Sequence, residues 1–167
     1  MKNEHADLDK VANTLDASST IGYFMGSYKD VLGVGVFNIF GGSLFSSAKD
    51  SNGDLGLAAF KSLLGLVGSQ IDYILPADAN VQFIAPNDIL VGVSKISTDK
   101  IMAVVLSREA QLSNIIPNLI KVAKMLQSMT IKVNALSNTK CMEYCNMTMA
   151  SQSNPRQRKN LIKRFGA

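Results

Sequence analysis

A pair of glycines between two apolar runs constrains the fold of this chain most strongly. Residues 32–40 read LGVGVFNIF, which is β-branched and aromatic with a period of two, and SLFSSA follows Gly41 and Gly42. Because glycine accepts the positive φ angles of tight turns, two such runs separated by glycines predict a β-hairpin. The alternative, a dinucleotide-binding loop, needs glycine at position 38, where Asn38 stands, and a helix directly afterwards. The pattern therefore favours the hairpin.

Three other segments have the 3.6-residue periodicity of helices. One broken helix or two short helices are predicted over about residues 6–29, a long helix over 55–74, and a last helix over 113–129. Serine and aspartate are preferred at helix N-termini because their side-chain oxygens accept the first free N–H groups. The predicted capping residues are Ser18 or Ser19, Asp54 and Ser113.

Three short strands are predicted after the long helix, at 81–85, 88–96 and 100–107. The loops between them are too short for a crossover, so these strands pair antiparallel. Together with the hairpin they predict an α+β domain built on a five-stranded antiparallel sheet, with helices on both faces.

The long helix over 55–74 is apolar around most of its circumference. Such a helix must be buried on more than one side. Two interpretations stay open: its own domain covers it, or one face meets its own sheet and the other meets a second subunit. Its glycines favour the second interpretation, because they cost helix propensity but allow another backbone to approach closely. The predicted contacts with a second subunit are Gly56, Phe60, Leu64, Gly65 and Gly68.

The chain ends in a basic segment, and its composition divides the chain into three parts. The segment 155–167 holds five of the 17 basic residues and no acidic one, so the rest of the chain is slightly acidic. The five are Arg156, Arg158, Lys159, Lys163 and Arg164. We predict a domain over 1–130, a linker or loosely held helix over 131–154, and this basic tail. A basic amphipathic tail can contact an anionic membrane or an acidic protein, and a solvated tail is the alternative. Nucleic acid is disfavoured as a partner because the body is not basic and aromatic residues are sparse.

Residues for catalysis or metal binding are scattered in this sequence. The single histidine, His5, stands near the start, and no paired carboxylates suggest acid–base chemistry. Cys141 and Cys145 are four residues apart, but one pair of cysteines is a weak metal signal. We interpret them as ordinary thiols, with redox sensing as the alternative. The sequence thus predicts a non-enzymatic protein without catalytic, metal or cofactor sites. The few cysteines and the mixed-charge N-terminus predict a cytoplasmic location, with the tail allowing peripheral contact with a membrane.

The order of elements resembles the roadblock/dynein light chain domain over about residues 6–129. Three segments carry the resemblance: VLGVGVFNIFGGSLFSS as the first hairpin, the long apolar helix, and NDILVGVSKISTDKIMAVVLS before the last helix. The longin and profilin-like folds share much of this layout. The resemblance implies a homodimer or a heterodimer with a paralogue, in which two sheets join edge to edge and the long second helices pack together.

The resemblance also implies a function. Members of the family act as platforms or regulators for small Ras-like GTPases, or as structural adaptors in motor and membrane assemblies. For this chain it implies a non-enzymatic dimeric regulator or scaffold for a small GTPase, with a structural adaptor as the alternative. In the first role the second helix would be presented to the GTPase. The candidate contacts are Lys61, Ser62, Ser69 and Gln70.

Overall fold

The computed structural model describes residues 16–67, 82–84, 89–129 and 136–153 of the chain. Four helices and five strands lie within these ranges. In chain order they are α1 (Ala17–Ser27), β1 (Val31–Asn38), β2 (Ser43–Ala48), α2 (Ser51–Val67), β3 (Gln82–Ile84), β4 (Leu90–Lys95), β5 (Lys100–Leu106), α3 (Leu112–Ser128) and α4 (Asn138–Ser153).

The strands form one sheet in the order β2-β1-β5-β4-β3. Every described pair is antiparallel. For the strands that follow each other directly, β1–β2, β3–β4 and β4–β5, the short connections require this direction. Strand β5 lies in the centre between β1 and β4, while β2 and β3 are the edges. The predicted α+β class and antiparallel sheet are confirmed.

The central strand β5 shows how the sheet separates two layers of helices. Its residues alternate between the two apolar clusters, so each face of the strand is buried. Ile101, Ala103 and Val105 belong to the cluster under α2. Met102, Val104 and Leu106 belong to the larger cluster, which includes α1, α3 and α4. Helix α2 therefore stands alone on one face of the sheet among the described helices.

The hairpin predicted from the two glycines is present, and residues 39–42 connect its strands. The side-chain oxygen Oδ1 of Asn38 accepts hydrogen bonds from the backbone N–H of Phe40 at 3.0 Å and of Gly42 at 2.8 Å. Among the described glycines only Gly41 has a positive φ, of 93°. A strand, and not a helix, follows the turn, so the glycines bend a hairpin and do not form a dinucleotide-binding loop.

Helix α1 begins two or three residues earlier than the predicted caps, Ser18 or Ser19, would place it. Asp16 is its N-cap, and Oδ1 of Asp16 accepts the backbone N–H of Ser19 at 2.9 Å. The predicted caps Ser18 and Ser19 are wrong, because both lie inside the first turn and are buried. Residues 6–15 of the predicted first helix lie outside the described residues.

The caps predicted for the other two helices are also wrong. Helix α2 begins at Ser51, and the carboxylate of Asp50 accepts the N–H of Gly53 at 2.9 Å, so Asp54 lies within the first turn. Helix α3 follows Gln111, which makes no capping hydrogen bond through its side chain. An aspartate directly before the helix supplied the cap in α1 and α2. Residues 68–74 of the predicted long helix lie outside the described residues.

Helix α4 occupies the segment predicted as a linker or a loosely held helix. It lies along α1, where the glycines at 22 and 26 allow the two backbones to approach closely. A Cβ atom built on Gly22 would stand 2.2 Å from the carbonyl oxygen of Cys141, and one on Gly26 would stand 2.5 Å from that of Cys145. Both cysteine side chains are fully buried. The helix is therefore tightly packed, and its description as loosely held was wrong.

The contact between α4 and α1 also has polar interactions at its N-terminal end. The backbone N–H of Ser137 donates to Oγ of Ser18 at 2.6 Å, and Nζ of Lys140 lies 2.5 Å from Oδ2 of Asp16. All residues of α1 except Tyr23 and Ser27 are buried. Among the described helices, α1 and not the long second helix is thus buried over almost all of its surface.

Candidate functional site

Helix α2 has two different faces. Its inner face packs on the sheet and consists of Gly53, Gly56, Leu57, Phe60 and Leu64, all buried. The opposite face is exposed and is here called the outer stripe. It consists of Leu55, Ala58, Ala59, Ser62 and Leu66. These five positions follow the i, i+3, i+4, i+7, i+11 spacing that places residues on one side of a helix.

The outer stripe is unusual for a helix face that meets solvent. None of its five residues carries a charge, and the side chains of Leu55 and Leu66 are 62% and 85% exposed. A surface helix normally places charged and polar residues opposite its buried face. Single exposed apolar residues are common, but an apolar row over three turns marks an interaction surface. The outer stripe is therefore the candidate functional site.

The structure changes the set of residues predicted to touch a second subunit. Gly56, Phe60 and Leu64 lie on the inner face, in contact with their own sheet. A Cβ on Gly56 would stand 2.7 Å from the side chain of Val105. These three residues have no surface left for a second subunit, because the sheet already covers them. Gly65 is exposed with open space around its Cα, and Gly68 lies outside the described residues.

The residues predicted to contact a GTPase are divided in the same way. Lys61 and Ser62 are both exposed. Ser62 belongs to the outer stripe, whereas Lys61 stands on its flank, between the stripe and the inner face. Ser69 and Gln70 lie outside the described residues.

Phe40, at the tip of the first hairpin, was missed by sequence reasoning. Its side chain is 68% exposed. The turn that carries it is fixed by Asn38 and by a bond from the N–H of Ile39 to the carbonyl oxygen of Asp99 at 3.0 Å. A Cβ on the next residue, Gly41, would stand 3.2 Å from the backbone nitrogen of Gly65 in α2. The signal was available in the sequence, since turn tips are usually polar and this one carries a phenyl ring.

The two cysteines have the environment of buried thiols. Burial raises the pKa of Cys141 to about 12 and also raises the pKa of Cys145, so both stay protonated near neutral pH. Sγ of Cys141 lies 3.7 Å from Sδ of Met25 on α1. Within the described ranges, no group of three or more histidine, cysteine or acidic residues could hold a metal ion. His5 lies outside those ranges.

An open polar groove of about 370 Å³ lies between the end of α1 and the start of α3. Tyr28 stands in it, and burial raises the pKa of its hydroxyl, which therefore remains neutral. That hydroxyl accepts a hydrogen bond from Nδ2 of Asn118, and it donates to the carbonyl oxygen of Asn114 at 3.4 Å. Oδ1 of Asp30, which also lines the groove, accepts from Oγ of Ser107 at 2.8 Å. These polar groups satisfy one another, and their arrangement is not that of a nucleophile with its base.

Two further features concern membranes. No helix within the described part of the chain is both long and apolar enough to cross a bilayer. The basic tail, 155–167, lies outside the described residues, so its predicted contacts with a membrane or an acidic protein stay predictions.

Known proteins match this chain in fold but not in sequence. No family model matches the sequence, and no curated protein matches it. Among solved structures, the gliding protein MglB from Thermus thermophilus has a TM-score of 0.50 at 9% identity, covering 66% of this chain and 85% of that one. A structure described as MglB with tetrameric arrangement has a TM-score of 0.50 at 11% identity, covering 73% and 88%. A Roadblock/LC7 domain from Streptomyces avermitilis has a TM-score of 0.44 at 17% identity, covering 59% and 83%.

Structural similarity at such low sequence identity establishes the fold and no more. At the level of the fold, the predicted resemblance is confirmed: this chain contains a roadblock-like domain.

Proposed function

We propose that this chain is a non-enzymatic, dimeric regulator or scaffold for a small Ras-like GTPase. The observation that carries the proposal is the outer stripe, a row of uncharged and mostly apolar residues exposed on α2, which alone among the described helices covers its face of a roadblock-like sheet. The resemblance to the roadblock family implies contact between subunits through this helix. The exposed leucines supply a physical reason for such a contact.

The energy available from the outer stripe sets a limit on how tight that contact is. Full burial of a leucine side chain contributes roughly 1.5–3 kcal/mol. Leu55 and Leu66 are each more than half exposed, so four such side chains in a symmetric pair contribute on the order of 4–8 kcal/mol. Association itself costs about 4–15 kcal/mol. A stable dimer therefore needs further contact area beside the stripe.

The proposed action on the GTPase needs no chemistry from this chain. In small GTPases the nucleotide, its magnesium ion and the switch loops supply the catalytic machinery, and a partner acts by ordering or holding them. Lys61 stands on the flank of α2, so it remains accessible when a second subunit covers the outer stripe. We assign Lys61 to the GTPase contact and Ser62 to the subunit contact. Ser69 and Gln70 remain proposed contacts of the GTPase.

Nucleotide-dependent binding tests this proposal. The full-length chain is used to capture small GTPases from native lysate with a GTP analogue or GDP, and a captured GTPase is then purified and titrated calorimetrically in both nucleotide states. We expect binding in one state only, weakened roughly tenfold by Lys61→Ala, which corresponds to about 1.4 kcal/mol. The matched control is Lys124→Ala, an exposed lysine of α3 on the opposite face of the sheet. Equal binding to the GTPase in both nucleotide states, or no binding in either, contradicts the proposed role as a regulator.

The second candidate function is a structural adaptor whose basic tail contacts an anionic membrane or an acidic protein. One observation favours it: α4, the helix that precedes the tail in the sequence, is tightly packed, and Ser151 in its last turn is buried. Deletion of 154–167 keeps this helix whole. An adaptor of this kind should lose its cellular location after the deletion while its dimer persists, and an unchanged location would exclude a role for the tail.

A further inference from the structure

We propose that four sulfur atoms between α1 and α4 form a binding site for a soft monovalent metal ion, Cu(I). The four belong to Met25 of α1 and to Cys141, Cys145 and Met149 of α4. They lie on the face of the sheet opposite α2, so the proposal does not depend on the function proposed for that helix. It departs from the sequence-based interpretation of the two cysteines as ordinary thiols.

The four sulfurs form two close pairs. Sγ of Cys141 lies 3.7 Å from Sδ of Met25, and Sγ of Cys145 lies 3.8 Å from Sδ of Met149. With metal–sulfur bonds of about 2.3 Å, two ligands of a tetrahedral ion stand about 3.8 Å apart. The two cysteines are one turn apart on the same face of α4, with Cβ atoms roughly 5–6 Å from each other. One ion between the two thiols can therefore join both pairs.

The type of ligand decides which metals fit. Thiolate and thioether sulfurs are soft ligands that favour Cu(I), whereas carboxylate and carbonyl oxygens suit magnesium and calcium. With two methionines, this group differs in kind from clusters of histidine, cysteine and acidic residues, which the described ranges lack. Met25, Cys141 and Cys145 are fully buried, and such a shell limits the access of water and oxidants to a bound ion.

The charges near the thiols favour a monovalent ion. Cysteines lose their protons when they bind a metal, so two of them bring two negative charges into the site. Burial raises the pKa of Cys145, and the Lys49 ammonium opposes that rise. Nζ of Lys49 is held by a hydrogen bond to the carbonyl oxygen of Tyr28 at 2.7 Å. Two thiolates and Lys49 leave one negative charge, which a monovalent ion neutralises. A divalent ion would leave a positive charge, which is costly in a buried site.

A buried hydroxyl without a hydrogen-bond partner supports the same site. Oγ of Ser47 on β2 is buried and makes no hydrogen bond. Burial raises the pKa of Cys141 to about 12, and the neighbouring Ser47 hydroxyl opposes that rise. A protonated thiol is a weak acceptor, but an ionised one is a strong acceptor. Binding of the ion thus turns Cys141 into the acceptor that the Ser47 hydroxyl lacks, and such outer donors are typical of metal sites.

Met149 connects the buried thiols with the surface. The residue is 44% exposed, while its sulfur contacts the thiol of Cys145. An ion can therefore bind first to this thioether and then pass to the cysteines. The route does not require the thiols themselves to be exposed.

Titration of the reduced, full-length chain with Cu(I) in the absence of oxygen tests the site. A chromophoric Cu(I) chelator competes for the ion and reports the affinity, and calorimetry in buffers of different ionisation enthalpy counts the protons released. We expect one ion per chain and close to two protons per ion, because both thiols are protonated before binding. Binding without proton release, or no binding against the chelator, overturns the site. Displacement of Cu(I) by an equal concentration of Zn(II) overturns the choice of a monovalent ion.

Two ligand variants identify the sulfurs that hold the ion. Cys145→Ala should abolish the competitive binding, and Met149→Leu should weaken it while keeping a side chain of similar size. Met147→Leu is the matched control, because Met147 is 48% exposed on the same helix. Since Met149 is also exposed, its variant stays informative even if Cys145→Ala does not fold. Unchanged affinity in both ligand variants, with circular dichroism showing folded protein, overturns the proposal.

Ser47→Ala separates a role in the metal site from a role in the fold. The dissociation constant for Cu(I) should rise about tenfold, as for other outer donors of metal sites. The melting temperature should stay the same, because the hydroxyl that is lost has no partner in the protein. Ser46→Ala, an exposed neighbour on the same strand, is the control and should bind like the unchanged chain. Equal affinity of the two serine variants overturns the role of Ser47.

Discussion

Replacement of Gly22 by alanine tests the packing of α4 on α1. This packing attaches α4 to the rest of the described fold. The new methyl group would stand 2.2 Å from the carbonyl oxygen of Cys141, whereas ordinary contacts begin near 3.4 Å. The backbone of α4 must therefore move by more than 1 Å or the helix must separate from α1. Overpacking of this kind costs about 1–3 kcal/mol, and a contact with backbone falls at the upper end.

Helix propensity acts in the opposite direction. Alanine is more favourable than glycine inside a helix by about 1 kcal/mol. The net expectation for Gly22→Ala is a loss of about 2 kcal/mol in the free energy of unfolding, from the difference of these two effects. For a chain of this size that loss corresponds to a melting temperature lowered by about 4–8 °C.

Gly65→Ala is the matched control, because it makes the same chemical change inside α2. No atom lies within 4 Å of a Cβ built on Gly65, so only the propensity gain of about 1 kcal/mol remains. Urea unfolding followed by circular dichroism, at one fixed protein concentration, compares the two variants with the unchanged chain. The two substitutions should differ by about 3 kcal/mol with opposite signs. Equal stability of the two variants would refute the close contact between α1 and α4.

Three further predictions concern the ion pair, the thiols and the tail. Asp16→Ala should lower the free energy of unfolding by about 1 kcal/mol near neutral pH, since the helix cap is lost. Burial opposes ionisation of Asp16, but the Lys140 ammonium and the Ser19 donors outweigh it and hold the pKa below 3.8. The stabilisation is therefore complete above that unfolded value, and the difference from the variant should shrink as the pH falls below about 4; a difference independent of pH would contradict the pairing. Cys141 and Cys145 should react with a thiol reagent only after unfolding, and rapid reaction of the native chain would contradict their burial. Deletion of 154–167 should leave the melting temperature within about 2 °C, as measured by calorimetry, and a larger loss would show that the tail packs on the domain.

The sequence was sufficient for the class of fold because local patterns determine it. Period-two apolar runs and short loops predicted the antiparallel sheet, and the glycines at 41 and 42 predicted the hairpin. Helix starts were harder to predict, because several serines and aspartates compete near each N-terminus. The choice depends on which carboxylate reaches the N–H three residues ahead, and Asp16 and Asp50 do so.

Which residues of α2 belong to the buried face and which to the exposed face could be seen only in the structure. The all-round apolar pattern predicted that both faces of this helix are covered, but it did not say which residues pack on the sheet. Cover of the outer stripe stays a prediction, because this face is exposed in the single chain. Phe60 and Leu64 pack on the sheet, whereas Leu55 and Leu66 are exposed. Burial of α1 was missed for a different reason, since its cover comes from a helix more than a hundred residues later. The sequence did contain a sign of this contact: Gly22 and Gly26 are four residues apart, as are the two cysteines of α4 that they approach.

Sedimentation equilibrium of the full-length chain tests most directly the claim that the outer stripe joins two subunits. The unchanged chain should sediment with twice the mass of one chain at micromolar concentration. Leu66→Glu, which places a charge at the more exposed of the two leucines of the stripe, should sediment as a folded monomer. A dimer that persists unchanged in Leu66→Glu, or a chain that is monomeric without the substitution, would contradict the account.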